Sequence, residues 1–329
     1  MEISQIIFLY LIIFTYICGK IYILAWKKYA SISITPSGFG IFLPIVIFIS
    51  IINTFGFFSD AVLSFTAIII GGIFYLFDDL RELPPWTRIF LSFIFGFILF
   101  LMANLNSNFV ISSIFPSAIF FGIISIFITN AINFNDGADL NIATIIFLTG
   151  VVLIFFSDHS SLIIKNIGWT ITAFSIGFGI LNRTPSTLYI GDSGCFVLSL
   201  LFLYFSIEFL LEVNTVPVEL MSVLALPFFD VFYVMLIRIY YKHDMLSRNY
   251  LHLYQRIKIV HGGFFHLIPQ ILCMTAIIFL SDLTIFLGFD KFWTLLFLSL
   301  IFTPIFYLLC RFLFIENEYF FGDGKKNES

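Results

Sequence analysis

Charged side chains are scarce in this sequence. It has 329 residues, of which 16 are Lys or Arg and 20 are Asp or Glu, so only 11% are charged. An ordinary soluble domain carries roughly 25% charged residues. A soluble globule, a disordered tail and a basic nucleic-acid binder are therefore excluded. The net charge of −4 is too small to steer a charged partner by a global field.

Cysteine is also rare, and common nucleotide-binding patterns are missing. The four Cys residues lie in apolar segments without metal-ligand or disulfide spacing, which favours small buried side chains. No Walker A sequence and no dinucleotide fingerprint occurs. Cysteine usage therefore indicates no compartment.

Apolar residues, in contrast, are abundant: 60% of the chain is hydrophobic, with 47 Phe. A membrane helix needs roughly 20 mainly apolar residues. On that rule the chain predicts an all-α polytopic membrane protein with about eleven transmembrane helices. The predicted spans are about 3–25, 39–57, 61–77, 88–103, 109–132, 140–157, 162–181, 194–211, 217–240, 264–281 and 291–315.

The positions of Lys and Arg predict the orientation of these spans. With the N-terminus outside, 13 of the 16 Lys and Arg residues fall in inside segments, while Lys165 and Lys291 fall outside and Lys20 lies in the first span. This bias predicts an N-terminus outside and a cytoplasmic C-terminus. We expect one transmembrane domain over 1–316 and a short cytoplasmic polar tail over 317–329.

Two adjacent acids, Asp78 and Asp79, end one apolar span on the inner face. Placing a carboxylate in the bilayer costs roughly 2.5–3.5 kcal/mol of free energy, so acids at the end of a span need a structural or functional explanation. They are either hydrated acids at the start of a loop, or one metal ligand and one general base. Neighbouring like charges raise one pKa, which suits a base.

A second inner segment concentrates amides and acids after a long apolar run. Its polar residues are Asn130, Asn133, Asn135, Asp136 and Asp139. Helical spacing places several on one face, while Gly137 predicts that the helix ends or turns there. The alternative is an ordinary polar loop.

The third inner segment is Gly191-Asp192-Ser193-Gly194. It is typical of a helix N-terminus, yet an Asp between glycines also lets a phosphate or a metal approach the backbone. Tyr189 is either a base-stacking residue or an interfacial anchor.

The fourth is the polar stretch 238–263, which contains His252, Gln255 and Arg256. Its Lys and Arg fit a positive-inside loop, but the clustered His and Gln do not follow from that rule. Arg and His suit phosphate oxygens. Carboxylates together with phosphates favour Mg²⁺, with Mn²⁺ as a substitute.

In order and spacing, the four segments resemble the polyprenyl-phosphate N-acetylhexosamine-1-phosphate transferases (glycosyltransferase family 4). The family pattern Asp-Asp-x-x-x-Leu-x-x-x-x-Lys resembles Asp78-Asp79, Leu83 and Arg88. Asn-x-x-Asn-x-x-Asp-Gly-x-Asp-Gly resembles Asn130, Asn133, Asp136-Gly137 and Asp139, and Gly-Asp-x-Gly-Ser resembles 191–194. His252, Tyr254, Gln255 and Arg256 match the His-x-Tyr-Gln-Arg form of the O-antigen branch, and Thr35-Pro36-Ser37-Gly38 is similar to the first inside loop.

Three positions depart from the family pattern. Arg88 stands in place of Lys, Leu140 in place of the second Gly, and Cys195 in place of Ser. Leu140 predicts a different turn of that loop. The histidine triplet of the peptidoglycan translocase is missing at Tyr254-Gln255, which argues against a MurNAc-pentapeptide substrate.

The resemblance implies transfer of N-acetylhexosamine-1-phosphate from a UDP-sugar to undecaprenyl phosphate, with release of UMP. It implies catalytic roles for Asp78, Asp79, Asp139 and His252, and metal binding by Asp192, with Asp79 as a further ligand. Substrate binding would fall to Arg88, Asn130, Asn133, Asp136, Tyr189, Gln255 and Arg256. The implied site is the cytoplasmic face of the inner membrane, in contact with the lipid bilayer and with no nucleic acid, and a homodimer is expected by analogy.

A transporter and a non-catalytic scaffold of a polysaccharide assembly complex are the competing interpretations. A carrier places charges near the bilayer centre and shows repeated halves. Here the acids are expected at span ends on one side, and the sequence shows no internal repeat.

Overall fold

The computed structural model describes residues 5–29, 35–55, 60–81, 83–104, 111–156, 162–183, 186–212, 218–242 and 251–315. Within these ranges the chain forms helices and turns and contains no strand. The predicted tail, 317–329, and part of the polar loop, 243–250, lie outside the described residues. The all-α prediction is confirmed.

Thirteen α-helices are described in these ranges. They are α1 (Gln5–Tyr29), α2 (Phe42–Phe55), α3 (Asp60–Leu80), α4 (Pro85–Ala103), α5 (Ile111–Phe134), α6 (Asn141–Phe156), α7 (Leu162–Asn182), α8 (Gly191–Glu212), α9 (Val218–Tyr240), α10 (Leu253–His261), α11 (Ile268–Phe286), α12 (Lys291–Phe297) and α13 (Thr303–Phe314). Short 3₁₀ turns cover Phe39–Ile41 and Phe265–Leu267, and a π-helical turn covers Leu298–Phe302.

Many of these helices suit a bilayer. Among the described residues, eight are long and apolar enough to cross a membrane, and three shorter apolar helices cover Phe39–Ile49, Asn141–Phe155 and Leu298–Phe314. Many of their exposed side chains are large hydrophobic groups, such as Phe155 and Phe286. The protein is therefore a polytopic membrane protein, while the count of eleven spans and the orientation stay predictions.

The contacts divide the chain into two compact units, Met1–Thr215 and Val216–Ser329. The prediction of one transferase domain over 1–316 is not tested by this division. In the first unit α8 is the central helix, packed against α3, α4 and α5. Its residues from Cys195 to Phe205 are all buried. The apolar side chains on every side of this stretch of α8 therefore pack against protein.

The segment before α2 lies directly against the start of α8. The amide of Tyr189 donates to the carbonyl of Pro36 at 2.8 Å, and the amide of Gly40 donates to the carbonyl of Ile190 at 3.0 Å. At Gly194 an added Cβ would lie 2.9 Å from the Cα of Gly40, so the two backbones meet without room for a side chain. This pairing holds the segment around Pro36 and Gly40 beside the N-terminus of α8.

The second unit is built around α9. Helix α9 packs against α11 and α13, and the short α10 packs against α13. Its apolar core includes Leu253, Ile257, Cys273 and Tyr307.

Candidate active site

Asp78 and Asp79 lie in the last turn of α3, not in a loop. Helix α3 continues to Leu80, and the Asp78 residue is only 3% exposed. The interpretation of the pair as hydrated acids at the start of a loop is therefore wrong for Asp78. Its carboxylate is enclosed by protein and needs local partners.

Arg88 supplies the counter-charge for Asp78. Its Nε lies 2.7 Å from Oδ2 of Asp78, and Oδ1 of Asp78 accepts the amide of Leu83 at 2.6 Å. The Arg88 side chain remains one-third exposed while that of Asp78 is fully buried. The first and last residues of the predicted Asp-Asp pattern thus form one ion pair, in which Arg88 keeps access to an anionic substrate.

Asp79 binds the N-terminus of α8. Its Oδ1 accepts the amide of Asp192, and its Oδ2 accepts the amide of Ser193, each at 3.0 Å. Oδ1 also accepts the hydroxyl of Ser37 at 2.9 Å. These bonds take most of the acceptor positions of this carboxylate, so little of it is left for a further ligand. Asp79 acts first as the cap of a helix that lies 113 residues further along the chain.

Asp136 completes the capping of the same helix. It follows the end of α5 and accepts the amide of Gly191. Its pKa lies well above the ordinary value, because burial removes water from the carboxylate and because the charges of Asp192 and Asp79 are close. The three amides from Gly191 to Ser193, which at a free helix N-terminus would suit a phosphate, are thus occupied by two carboxylates of the protein.

We call Asp78, Asp79, Asp136 and Asp192 the carboxylate cluster. Asp192 is half-buried in the first turn of α8, and its charge acts on the other three. Among the described residues, no hydrogen bond or ion pair engages its carboxylate. With Arg88 as the paired cation, the cluster carries an excess of negative charge that a divalent cation would neutralise.

The donor chemistry of the cluster fits Mg²⁺ with few protein ligands. The described residues contain no group of three His, Cys, Asp or Glu side chains placed to hold a metal. Mg²⁺ is commonly bound through one or two carboxylates and substrate phosphates, so such a group is not required. Asp192, whose carboxylate accepts no hydrogen bond among the described residues, would be the best-placed ligand for such an ion.

Asp139 and Tyr189 lie beside this cluster. The hydroxyl of Ser186 is within hydrogen-bond distance of both Oδ1 of Asp139 and the carbonyl of Asn182. The pKa of Tyr189 is raised, chiefly by burial and then by the charges of Asp139 and Asp136. The structure thus brings Asp136, Asp139 and Tyr189 together, as the sequence predicts for a substrate site.

The loop after Asp139 turns at Leu140, which has a φ of 66°. This is the left-handed conformation that glycine adopts without steric cost. Asn182 supports the turn, because its Oδ1 accepts the Leu140 amide at 2.7 Å. Leucine therefore bears the strain of a conformation that favours glycine, while a turn that differs from the family's loop stays a prediction.

The amides of α5 have different surroundings. Asn130 is exposed, and its side chain donates to the carbonyl of Ile126 one turn earlier, at 2.8 Å. Asn133 is half-buried in the last turn of α5, and Asn135 is buried and binds Ala131. The helix ends at Phe134, close to the point that Gly137 predicts. Substrate binding by Asn130 and Asn133 stays a prediction.

The remaining predicted residues belong to the second unit. His252 immediately precedes α10, and Gln255 and Arg256 lie in its first turn. Arg256 is fully buried, whereas Gln255 is half-buried. Their predicted contacts with phosphates are not tested.

Sequence reasoning missed an acid in this unit. Asp230 lies near the middle of α9 and is 3% exposed, so the expectation that the acids lie only at span ends is wrong for this residue. It binds His252, Leu253 and Tyr307. The signal was available, because an ionisable residue in the middle of an apolar span is uncommon and usually has a partner.

Comparisons with known proteins find sequence similarity within the first unit. Residues 58–210 match the family model of glycosyl transferase family 4. A phospho-N-acetylmuramoyl-pentapeptide-transferase of Dictyoglomus thermophilum is 31% identical over 166 residues, covering 46% of this chain and 54% of that protein. The protein of the same name from Dictyoglomus turgidum is 29% identical over 167 residues, with the same coverage. The chain thus spans about half the length of the curated relatives it matches.

The matched range contains α3 to α8 almost completely, and with them the carboxylate cluster, Arg88, Asp139 and Tyr189. The family resemblance seen in the sequence motifs is confirmed over this range. Residues 58–210 of this membrane protein are thus similar to glycosyl transferase family 4.

Proposed function

We propose that the protein transfers N-acetylhexosamine-1-phosphate from a UDP-sugar to undecaprenyl phosphate and thereby starts a lipid-linked cell-surface polysaccharide. The observation that carries this proposal is the carboxylate cluster beside Arg88 at the start of α8, within the family-matched range. Its carboxylates can bind a cation, and the guanidinium of Arg88 can bind phosphate. Asp78 and Asp79 lie at the end of the apolar helix α3, and Arg88 lies in the first turn of α4. We place this site at the cytoplasmic face of the inner membrane.

In the proposed reaction an oxygen of the lipid phosphate attacks the β-phosphorus of the UDP-sugar. The bond between that phosphorus and the bridging oxygen breaks, and UMP leaves with the oxygen. Asp192 would hold Mg²⁺, which supplies positive charge to the diphosphate. Arg88 would bind phosphate oxygens while it pairs with Asp78. Asp136 and Tyr189 would contact uridine, and Asp139 would lie near the diphosphate or the sugar.

The hydrogen bonds at the N-terminus of α8 suggest different roles for Asp79 and Asp192. Asp79 is bound by three donors and therefore positions α8, and with it Asp192, relative to α3. Asp192 is the acid most available to a cation. Proton transfer from the lipid phosphate needs little help, because its second pKa is near neutrality.

A second candidate is transfer of phospho-MurNAc-pentapeptide, which the names of both relatives favour. The sequence weighs against it, because Tyr254-Gln255 stands where the translocase carries its histidine triplet. The two candidates share the cluster chemistry and differ in the sugar, so one assay separates them.

The test uses purified full-length protein in bilayers that contain undecaprenyl phosphate, with Mg²⁺ and UDP-sugars that include UDP-GlcNAc and UDP-MurNAc-pentapeptide. We expect UMP with a UDP-N-acetylhexosamine, and loss of UMP in Asp192→Asn at unchanged thermal stability. UMP only with UDP-MurNAc-pentapeptide would contradict the proposed sugar. Absence of UMP with every sugar would overturn the transferase assignment, and uptake of intact UDP-sugar into vesicles would then support a transporter.

A further inference from the structure

One buried asparagine joins two loops of the candidate active site. Asn182 is the last residue of α7 and is 3% exposed. Its Oδ1 accepts the amide of Leu140 at 2.7 Å, and its Nδ2 donates to the carbonyl of Leu188 at 2.9 Å. Leu140 directly follows Asp139 in the loop between α5 and α6, and Leu188 directly precedes Tyr189 in the loop between α7 and α8. The side chain therefore binds the backbone beside both of these predicted site residues.

The two hydrogen bonds fix the orientation of the Asn182 amide. A backbone N–H only donates and a backbone carbonyl only accepts, so the side-chain oxygen faces Leu140 and the NH₂ group faces Leu188. Leu188 is fully buried, so its carbonyl needs a partner within the protein. An aspartate at this position would offer only acceptors, and a leucine would offer neither group. Of the side chains of this size, asparagine is thus the one that serves both backbone groups.

The loop at Leu140 depends on this support. Its φ of 66° lies in the left-handed region, which a residue with a Cβ disfavours and glycine does not. The hydrogen bond from the Leu140 amide to Asn182 offsets that preference and holds the loop in one conformation. The position of the preceding residue, Asp139, therefore depends on a side chain at the end of another helix.

A serine connects the same two loops through side chains. The hydroxyl of Ser186 lies within hydrogen-bond distance of Oδ1 of Asp139 and of the carbonyl of Asn182. It also forms a hydrogen bond with the side chain of Tyr189. All of these residues belong to the first unit, Met1–Thr215. The backbone contacts of Asn182 and the side-chain contacts of Ser186 thus act on the same pair of residues.

We propose that Asn182 is a positioning residue for nucleotide-sugar binding: it holds the backbone at Leu140 and at Leu188 and so sets the spacing between Asp139 and Tyr189. This inference rests on the proposed transferase function, in which Tyr189 contacts uridine and Asp139 lies near the diphosphate or the sugar. A ligand that spans two residues binds more tightly when their separation is fixed in advance, because less ordering is needed on binding. Asn182 acts through the two loops, since it is buried and both ends of its amide bind the backbone.

Hydrogen–deuterium exchange of the full-length protein in bilayers tests the positioning without any substrate. Asn182→Leu removes both hydrogen bonds at similar volume, and we expect faster exchange in segments 138–142 and 186–190. Asn104→Leu is the matched control, because Asn104 is also a buried asparagine at the end of a helix, where it donates to the carbonyl of Phe100. The control should change neither segment. Unchanged exchange at either segment in Asn182→Leu would overturn the proposal.

Asn182→Asp separates the two contacts. Aspartate keeps an acceptor for the amide of Leu140 but places a second oxygen against the carbonyl of Leu188. We expect faster exchange in segment 186–190 and unchanged exchange in segment 138–142. Equal acceleration of both segments would contradict the proposal that each end of the amide holds its own loop. This variant also keeps the test decisive if Asn182→Leu does not fold.

The kinetics of UMP release relate this geometry to substrate binding. We expect Asn182→Leu to raise KM for the UDP-sugar by about tenfold and to lower kcat by less than about twofold. Adding Leu140→Gly should recover part of the loss in KM, because glycine adopts the left-handed conformation without support. A fall in kcat at unchanged KM would show that Asn182 only supports the fold. A wild type without UMP release would refute the transferase function, while the exchange comparison would still decide whether Asn182 holds the two loops.

Discussion

Replacement of Asp79 by Asn separates a helix-capping role from a purely catalytic one. The Asp79 carboxylate accepts two backbone amides of α8 and the hydroxyl of Ser37. An asparagine keeps one acceptor oxygen and places an NH₂ group against a backbone N–H. The substitution should therefore lower stability, although it removes a negative charge from a crowded cluster.

The magnitude follows from two opposed terms. Loss of one charge-assisted hydrogen bond costs about 1.5–3 kcal/mol, and loss of the interaction with the helix dipole adds about 0.5 kcal/mol. Relief of repulsion from Asp136 and Asp192 returns about 1 kcal/mol. The balance is a destabilisation of about 2 kcal/mol, which corresponds to a fall of about 3 °C in the thermal unfolding midpoint.

The assay is thermal unfolding of purified protein in detergent without substrate. Asp192→Asn is the matched control, because it removes a charge from the same cluster but no described hydrogen bond. We expect Asp192→Asn to be neutral or slightly stabilising. If Asp79→Asn were as stable as Asp192→Asn, Asp79 would not be the cap of α8 and the reasoning would be refuted.

Two further substitutions test the surroundings of the cluster. At Leu140, which has a φ of 66°, the glycine variant should be more stable than the alanine variant by about 1 kcal/mol. At Phe147 inside α6 the alanine variant should instead be the more stable by a similar amount. Thermal unfolding measures all four variants, and a more stable alanine variant at Leu140 would contradict the left-handed turn. Arg88→Ala should lower the free energy of unfolding by roughly 2–3 kcal/mol, because it leaves Asp78 buried without its counter-charge. Adding Asp78→Asn should restore most of that loss, as measured by chemical unfolding. Strictly additive losses would show that the ion pair does not stabilise the protein.

The sequence was sufficient for the fold class and for finding the acids that the structure brings together. Helix length and apolar composition predict the membrane helices, and acids at the ends of apolar runs indicate Asp78, Asp79 and Asp136. These signals are local, so one chain reveals them. The short apolar helices around 39–49 and 141–155 show why the number of spans is harder to predict, since they are shorter than a full bilayer crossing.

The contacts that give each acid its role depend on distant parts of the chain. Asp79 caps a helix that begins more than a hundred residues later, and Asp230 meets Tyr307 across a separation of 77 residues. Residue type alone does not distinguish a helix N-cap from a metal ligand, because an aspartate carboxylate is suited to either role. Leu140 shows a further limit: leucine disfavours the left-handed conformation, and the Asn182 contact supports it in spite of that preference.

The central claim is the identity of the group transferred to the lipid. Mass spectrometry of the lipid product, after the full-length protein is incubated with undecaprenyl phosphate, Mg²⁺ and the panel of UDP-sugars, tests it most directly. The account predicts undecaprenyl diphosphate that carries one N-acetylhexosamine, and none with Asp192→Asn. Unmodified undecaprenyl phosphate with every sugar, or a product that carries only MurNAc-pentapeptide, would contradict it.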